Sequence, residues 1–423
     1  MIVPGICAFR GKRVLLLQGP VGPFFWRLKK DLTRAGAEVF KVNFNGGDCL
    51  FYPFDANNFR GSTQEWSNYF ESLLDRLQID VVLFFGDCRP IHNVAHEIAD
   101  RRNLKIGVFE EGYIRPDYVT LEEFGVNDHS LLPRLPEFYL SKLTSLVENP
   151  TRVTSAYRNM ALWSILYYFA AGLLKPLFRH YQHHRPLTWL EVLPWLRSAY
   201  RKARYFVKER GVLSHLTHKL QGSYFLVPLQ VSSDAQVLSH SNFACITHFV
   251  EEVMASFAQH ASVETTLVIK HHPMDRAYRD YSKLISERAN ALGLQGRCIY
   301  IHDQSLPKLL ECARGVVVIN STVGLSALHH GTPLKVCGSA IYDMVGLTYQ
   351  GSLDEFWNNA QQNKPSRRLL RCFQGYLLTY TQLNGSFYTR LHAETSATGL
   401  NWKEKDNLVE AYHADRVQSF RGA

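Results

Sequence analysis

Short apolar runs alternate with longer amphipathic stretches along most of this chain. Lys12–Gly19, Glu38–Phe44, Asp80–Asp87 and Lys105–Val108 read as buried strands. The stretches Phe24–Ala35, Ser67–Leu77 and Ile91–Arg101 between them carry helical spacing, as with Phe25, Leu28 and Leu32. From 135 to 220 the strand signals fade, and aromatic and cationic residues gather, as in Tyr200-Arg201-Lys202-Ala203-Arg204-Tyr205. Alternation resumes with strands at Ser223–Gln230, Thr266–Ile269, Arg297–Ile301, Gly315–Ile319 and Pro333–Cys337. Helices are expected at Phe243–His260, Ser305–Cys312 and from Leu325 to Gly331, with a mostly helical remainder. Strand–helix alternation of this kind predicts parallel sheets covered on both faces. The expected organisation is an α/β domain over 1–135, a helical linker over 136–220, a second α/β domain over 221–365, and C-terminal helices over 366–423 that return to the first domain.

A chain of 423 residues is long enough for two cores. The formal charge of +9 points to an anionic partner. No nucleic-acid-binding pattern is present, so nucleic acid is not expected as that partner. The eight cysteines are scattered without Cys-x-x-Cys spacing, which predicts free thiols in a reducing compartment. The start of the chain lacks a secretory pattern, so a protein facing the cytosol is expected.

One apolar segment stands apart. Ala161–Leu174 is too short to span a bilayer, and Lys175, Arg179 and Arg185 follow it. It reads either as a buried helix or as a helix lying on anionic lipid.

Three strand ends carry chemistry. Lys105–Val108 leads into Phe109-Glu110-Glu111-Gly112-Tyr113-Ile114-Arg115-Pro116. Neighbouring carboxylates on extended chain diverge, so one of Glu110 and Glu111 is expected to face a ligand. That carboxylate can act as general base or as nucleophile. Gly112 lets the turn approach a ligand closely, Arg115 suits a carboxylate or phosphate, and Gly19 ends the first strand in another open turn. The second strand end is Lys270-His271-His272-Pro273, where Lys270 and His272 can meet a nucleotide phosphate, Pro273 orients His272, and His271 points inward or into solvent. The third is Asn320-Ser321-Thr322-Val323-Gly324, opening a helical stretch. There Ser321 and Thr322 serve as anion donors, as helix caps, or as both. Each motif alone is equally a solvated loop, a satisfied histidine or a plain cap. Together, at successive strand ends, they describe a transferase with a nucleotide-sugar donor in a GT-B-like fold, two Rossmann-like domains facing across a cleft.

The order Glu-Glu-Gly, His-Pro, Ser-Thr is similar to that of bacterial transferases using CMP-activated acidic sugars. More closely, Phe109–Pro116 with Thr120-Leu121-Glu122 resembles the KpsS/LipB family of capsule polysaccharide proteins. Leu17–Phe25, Phe44–Asp48 and Asp87-Cys88-Arg89-Pro90-Ile91-His92 share that resemblance. It implies a retaining β-Kdo transferase moving Kdo from CMP-Kdo onto (lyso)phosphatidylglycerol, peripheral on the cytoplasmic face of the Gram-negative inner membrane. It implies Glu111 as the catalytic carboxylate beside Glu110, either nucleophile or acid/base. Lys270, His272, Pro273, Ser321, Thr322 and Gly324 would hold CMP; from the residues themselves, Arg115 suits the Kdo carboxylate, and Gly19 and Gly112 are expected on the substrate. Neither a metal nor a resident cofactor is expected. Expected partners are the anionic phospholipid acceptor, the membrane surface and other capsule assembly proteins. The alternatives are a non-catalytic export component binding lipid-linked glycan, and a transferase using CMP-sialic acid.

Overall fold

A computed structural model describes residues 6–142, 150–153, 156–182, 192–232, 241, 243–391 and 396–400. The chain divides into two compact units. The first holds residues 1–133, 144–191 and 374–423, and the second holds 134–143 and 192–373. Arg185, and the part of the expected C-terminal helices beyond residue 400, lie outside the described residues.

Unit 1 is built on a seven-stranded sheet in the order β12-β6-β5-β4-β1-β2-β3. Its parallel part is β1 (Arg13–Leu16), β2 (Glu38–Asn43), β3 (Asn57–Asn58), β4 (Val81–Phe85) and β5 (Lys105–Glu111). Strands covered on both faces need apolar residues at successive positions, and Val81 to Phe84 are all buried. Helices α1 (Phe24–Arg34), α2 (Gly46–Phe51), α3 (Thr63–Leu77) and α4 (Pro90–Arg101) make the crossovers. Ser62 starts α3 with a reciprocal capping box to Glu65.

The sheet departs from the expected parallel pattern at one edge. β6 (Tyr118–Glu123) folds back antiparallel on β5, and β12 (Gln382–Asn384) pairs antiparallel with β6. The Gly46-Gly47-Asp48 stretch, which its paired glycines make read as a turn, is the start of α2, capped by Asn45. Asn45 Oδ1 accepts from the backbone N–H groups of Gly47 and Asp48, which replaces the bonds that a first helical turn lacks.

In unit 2, α5 (Pro136–Leu140) belongs to the same compact body as residues 192–373. The sheet is five-stranded and all parallel, in the order β11-β10-β7-β8-β9. The strands are β7 (Tyr224–Pro228), β8 (Thr266–Lys270), β9 (Cys298–Ile301), β10 (Gly315–Val318) and β11 (Leu334–Val336). Every residue of β7 and β8 is buried, which is why both read as unbroken apolar runs. Two further helices matter for the site. α6 (Ala156–Leu173) packs within unit 1, and α7 (Val192–Lys208) within unit 2. Each unit is thus a Rossmann-like α/β body. No helix among the described residues is long and apolar enough to cross a membrane.

Candidate functional site

The two neighbouring carboxylates lie within β5 and not in the turn after it, with Glu110 opposite Thr120 and Glu111 opposite Val119 on β6. Alternation along the strand sends them to opposite faces. Glu110 Oε1 accepts from the backbone N–H of Glu111 at 2.9 Å. Glu111 Oε1 accepts from the phenol of Tyr388 at 2.6 Å. Among the described residues, Glu111 Oε2 has no hydrogen-bond partner. Burial and the adjacent Glu111 carboxylate push the Tyr388 phenol well above its ordinary range, so it stays protonated as a donor.

Tyr388 reaches this strand because its neighbours are pinned. The Phe387 ring is buried and meets Phe24 at 4.8 Å and Phe85 at 5.2 Å between centroids, both edge-on. Arg27 Nη2 donates to the Phe387 carbonyl at 2.7 Å, and Trp163 Nε1 to the Tyr388 carbonyl at 2.9 Å.

The turn after β5 is held from inside. The Tyr113 N–H donates to Gln382 Oε1 at 3.0 Å, and its phenol to the buried Glu122 at 2.6 Å. A Cβ on Gly112 would sit 2.1 Å from the Tyr118 carbonyl oxygen. The glycine is therefore required by the hairpin's own backbone, which corrects the expectation that it makes room for a ligand. Gly19 is similar, because a Cβ there would come within 2.8 Å of the Phe25 ring. Arg115 is exposed. Its Nε donates to the Gly112 carbonyl at 3.0 Å, and it pairs with no carboxylate among the described residues. That leaves its terminal nitrogens for an anion.

A polar cluster not anticipated as a unit lies along the same sheet edge. Gln18 follows β1, Asp48 follows β2 and Arg89 follows β4, and these strands run parallel to β5. Gln18 Nε2 donates to Tyr181 Oη at 2.8 Å and to Asp48 Oδ2 at 3.2 Å, while Arg89 Nη1 donates to Gln18 Oε1 at 2.7 Å. The Tyr167 phenol, on α6, accepts from Asn45 Nδ2 at 2.7 Å and donates to Asp48 Oδ1 at 3.1 Å. The signal in the sequence was a polar residue just past each strand; nothing there told that α6 would supply the tyrosine.

Glycines bring α6 into place. A Cβ on Gly46 would lie 2.3 Å from the Ala170 carbonyl oxygen, and one on Gly47 2.5 Å from the Tyr167 ring. The helix thus buries Tyr167, Ala170 and Ala171. Its other side leaves Leu162, Ile165, Leu166, Phe169 and Leu173 exposed, Phe169 and Leu173 by 68% each. The segment is packed on one face, as the buried-helix reading expects, and bare apolar on the other.

In unit 2 the two expected motifs follow β8 and β10, which flank β7. Gln230, just past β7, holds the second of them: its Nε2 donates to Asn320 Oδ1 at 2.9 Å, and its Oε1 accepts from the Asn320 N–H at 3.3 Å. His272 Nδ1 accepts from the Met274 N–H at 3.2 Å, which puts the neutral ring's proton on Nε2, a donor. Pro273 opens the short 3-10 turn that carries this bond. Ser321 Oγ accepts from the Val323 N–H at 3.2 Å, leaving its own hydroxyl hydrogen to donate, and Thr322 makes no side-chain cap bond. A Cβ on Gly324 would lie 2.3 Å from the Tyr342 hydroxyl, so this glycine too serves packing.

Lys270 needs correction as a phosphate ligand. It is buried, and its Nζ donates to the His302 carbonyl at 2.8 Å. Desolvation lowers its pKa. A buried strand-end lysine that gives one of its three N–H donors to a backbone carbonyl acts as a strut between β8 and β9. His271 turns inward, with Nδ1 2.6 Å from the Tyr300 hydroxyl, and burial lowers its pKa to about 3.

Residues 80–388 match the family described as capsule polysaccharide biosynthesis protein, and the chain belongs to that family. It is 42% identical over 386 residues to the capsule polysaccharide export protein KpsS of Escherichia coli, covering 89% of this chain and 97% of that protein. It is 39% identical over 392 residues to the capsule polysaccharide modification protein LipB of Neisseria meningitidis serogroup B, covering 90% and 92% respectively. Among solved structures, the KpsC β-Kdo 2,7 transferase of Thermosulfurimonas dismutans aligns over 90% of this chain and 99% of its own, with a TM-score of 0.40 and 17% identity.

Proposed function

We propose that this protein is a retaining glycosyltransferase of capsule assembly that moves β-Kdo from CMP-Kdo onto the glycerol of (lyso)phosphatidylglycerol. The observation that carries the reading is the Glu111 carboxylate, oriented through Oε1 by Tyr388 with Oε2 left without a partner among the described residues. A fixed carboxylate suits transfer to an alcohol, where it can attack the anomeric carbon or take the acceptor proton. Glu110, on the opposite face of β5, takes the supporting part. The exposed Arg115 beside this strand suits the Kdo carboxylate.

His272, Ser321 and Thr322 are the CMP ligands in this reading, with Pro273 and Gly324 holding their turns. The sugar arrives already activated as its CMP ester, so no resident cofactor is part of the proposal. The acceptor places the protein on the cytoplasmic face of the inner membrane, and the net charge of +9 favours an anionic lipid surface. Support from relatives is the membership of the capsule polysaccharide family.

The test is to incubate the purified protein with CMP-Kdo and a fluorescent lysophosphatidylglycerol and read the acceptor's mass. A gain of one Kdo is expected. An unchanged acceptor across pH and acceptor chain length would overturn the reading.

A further inference from the structure

The inner face of α7 is bound tightly to the loops that follow β8 and β9. Arg201, Tyr205 and Glu209 follow one another at helical spacing, and all three are buried. Arg201 Nη1 donates to the carbonyls of Arg276 at 2.7 Å and Arg279 at 3.1 Å. The Tyr205 ring stacks on His302 at 3.4 Å between centroids, and Glu209 Oε1 lies 2.6 Å from His302 Nδ1. These bonds fix which side of the helix faces outward.

That outward side is apolar. Leu196, Tyr200, Ala203 and Val207 recur at helical spacing opposite the buried trio, and Phe206 stands beside them. Leu196 is 62% exposed, Tyr200 68%, Phe206 69% and Val207 61%. Cations border the stripe: Arg197, Arg204 and Lys208 on one flank, Lys202 on the other, all exposed. None of the four pairs with a carboxylate among the described residues, and the acid directly after the helix, Glu209, is turned inward onto His302. A soluble surface helix would alternate charges of both signs on such a face. An apolar stripe with cationic borders is the pattern of a helix lying in a lipid headgroup layer.

We propose that α7 is an interfacial docking helix for anionic phospholipid bilayers, with its apolar stripe at the acyl boundary and its flanking cations among the phosphates. Because Arg201 and Glu209 tie the same helix to the loops after β8 and β9, docking holds the His272 edge of unit 2 at the bilayer. The occupant is a lipid surface and not another protein, since the borders carry only positive charge. The inference shares with the proposed function only the idea of an anionic lipid; it holds or fails whatever sugar is transferred.

The test is flotation of the full chain with vesicles of pure phosphatidylcholine and with vesicles containing phosphatidylglycerol, at low and high salt. Two variants are compared with the parent, Tyr200→Ser/Phe206→Ser/Val207→Ser and Lys202→Gln/Arg204→Gln/Lys208→Gln. All six positions are exposed, and circular dichroism checks the fold. Each variant should lose about tenfold or more of the partitioning onto phosphatidylglycerol vesicles, and the parent should favour these over phosphatidylcholine. Turnover on a water-soluble glycerophosphoglycerol acceptor, read alongside, should be unchanged, which separates docking from transfer. Parent-like flotation of both folded variants would overturn the proposal. So would sedimentation showing that the parent self-associates and the variants do not, with flotation unaffected.

Discussion

Tyr388 donates a 2.6 Å hydrogen bond to Glu111 across 277 residues of sequence, and this bond orients the carboxylate on which the proposed chemistry rests. Glu111→Gln should leave CMP binding intact while turnover falls about 100-fold or more. Tyr388→Phe keeps the ring and removes only the donor, so turnover should fall about tenfold with little change in melting temperature. Steady-state kinetics with CMP-Kdo check both. Full activity in Glu111→Gln would end its assignment and turn attention to Glu110.

On the donor side, His272→Ala and Ser321→Ala should each weaken CMP binding by about 1.5–3 kcal/mol. Lys270→Met should behave differently, with a lower melting temperature and nearly parental CMP affinity, because its ammonium bonds the His302 carbonyl. Isothermal titration with CMP separates the two behaviours.

The exposed stripe of α6 is where its membrane contact is tested. Trp163 and Tyr167 make structural bonds, to the Tyr388 carbonyl and to Asp48, so replacing them would disturb unit 1 itself. Leu162→Ser/Ile165→Ser/Phe169→Ser/Leu173→Ser should leave the far-ultraviolet circular dichroism unchanged and reduce flotation with phosphatidylglycerol vesicles severalfold. Unchanged flotation would remove α6 as a membrane contact.

Acid should destabilise the fold well before carboxylates titrate. His92 is fully buried, with Nδ1 2.6 Å from the Gly86 carbonyl oxygen, and burial lowers its pKa to about 3. His271 is lowered to about 3 for the same first reason. A histidine held neutral binds fewer protons folded than unfolded, so its contribution is complete above the unfolded value near 6.5 and is lost as pH falls from there toward 3. At pH 5 the loss is roughly 2 kcal/mol for each ring. Thermal melts at pH 7.5 and 5 should show it, and a flat profile would refute it.

Asp31 is the buried acid of α1, and it accepts from the backbone N–H groups of Ala397 at 3.0 Å and Thr398 at 3.0 Å and from the Thr398 hydroxyl at 2.8 Å. Asp31→Ala leaves the Ala397 N–H without its acceptor and the Thr398 donors with only their longer contacts to Ser396 Oγ at 3.3 and 3.4 Å, and should cost about 3 kcal/mol of stability. Chemical denaturation measures this, and a change under about 0.5 kcal/mol would show that the 396–398 segment is held by other contacts.

The strands that are covered on both faces were legible at once. β1, β4, β5, β7, β8 and β10 appear where apolar runs predicted them, because burial on two faces forces such runs, and the less buried β2, β9 and β11 appear there too. β6 and β12 were not foreseen. Tyr118–Glu123 mixes polar and apolar residues, and its partner Gln382–Asn384 is only a short edge whose pairing depends on a chain returning from far away. The Gly46-Gly47-Asp48 stretch looked like a turn because glycine disfavours helices. Its glycines are there because α6 packs so close that no Cβ fits.

The sequence by itself determined that this is an α/β protein of the capsule polysaccharide family, with carboxylates, a His-Pro turn and a Ser-Thr turn at strand ends. Those features are local: strand periodicity and short motifs are written in neighbouring residues. Only the tertiary structure decided that Tyr388 orients Glu111, that Lys270 is a strut, that Gly112 serves its own hairpin, and that α6 and α7 each bury one face and bare the other. These depend on which distant side chains share a volume, and packing fixes that only once the sheet has formed.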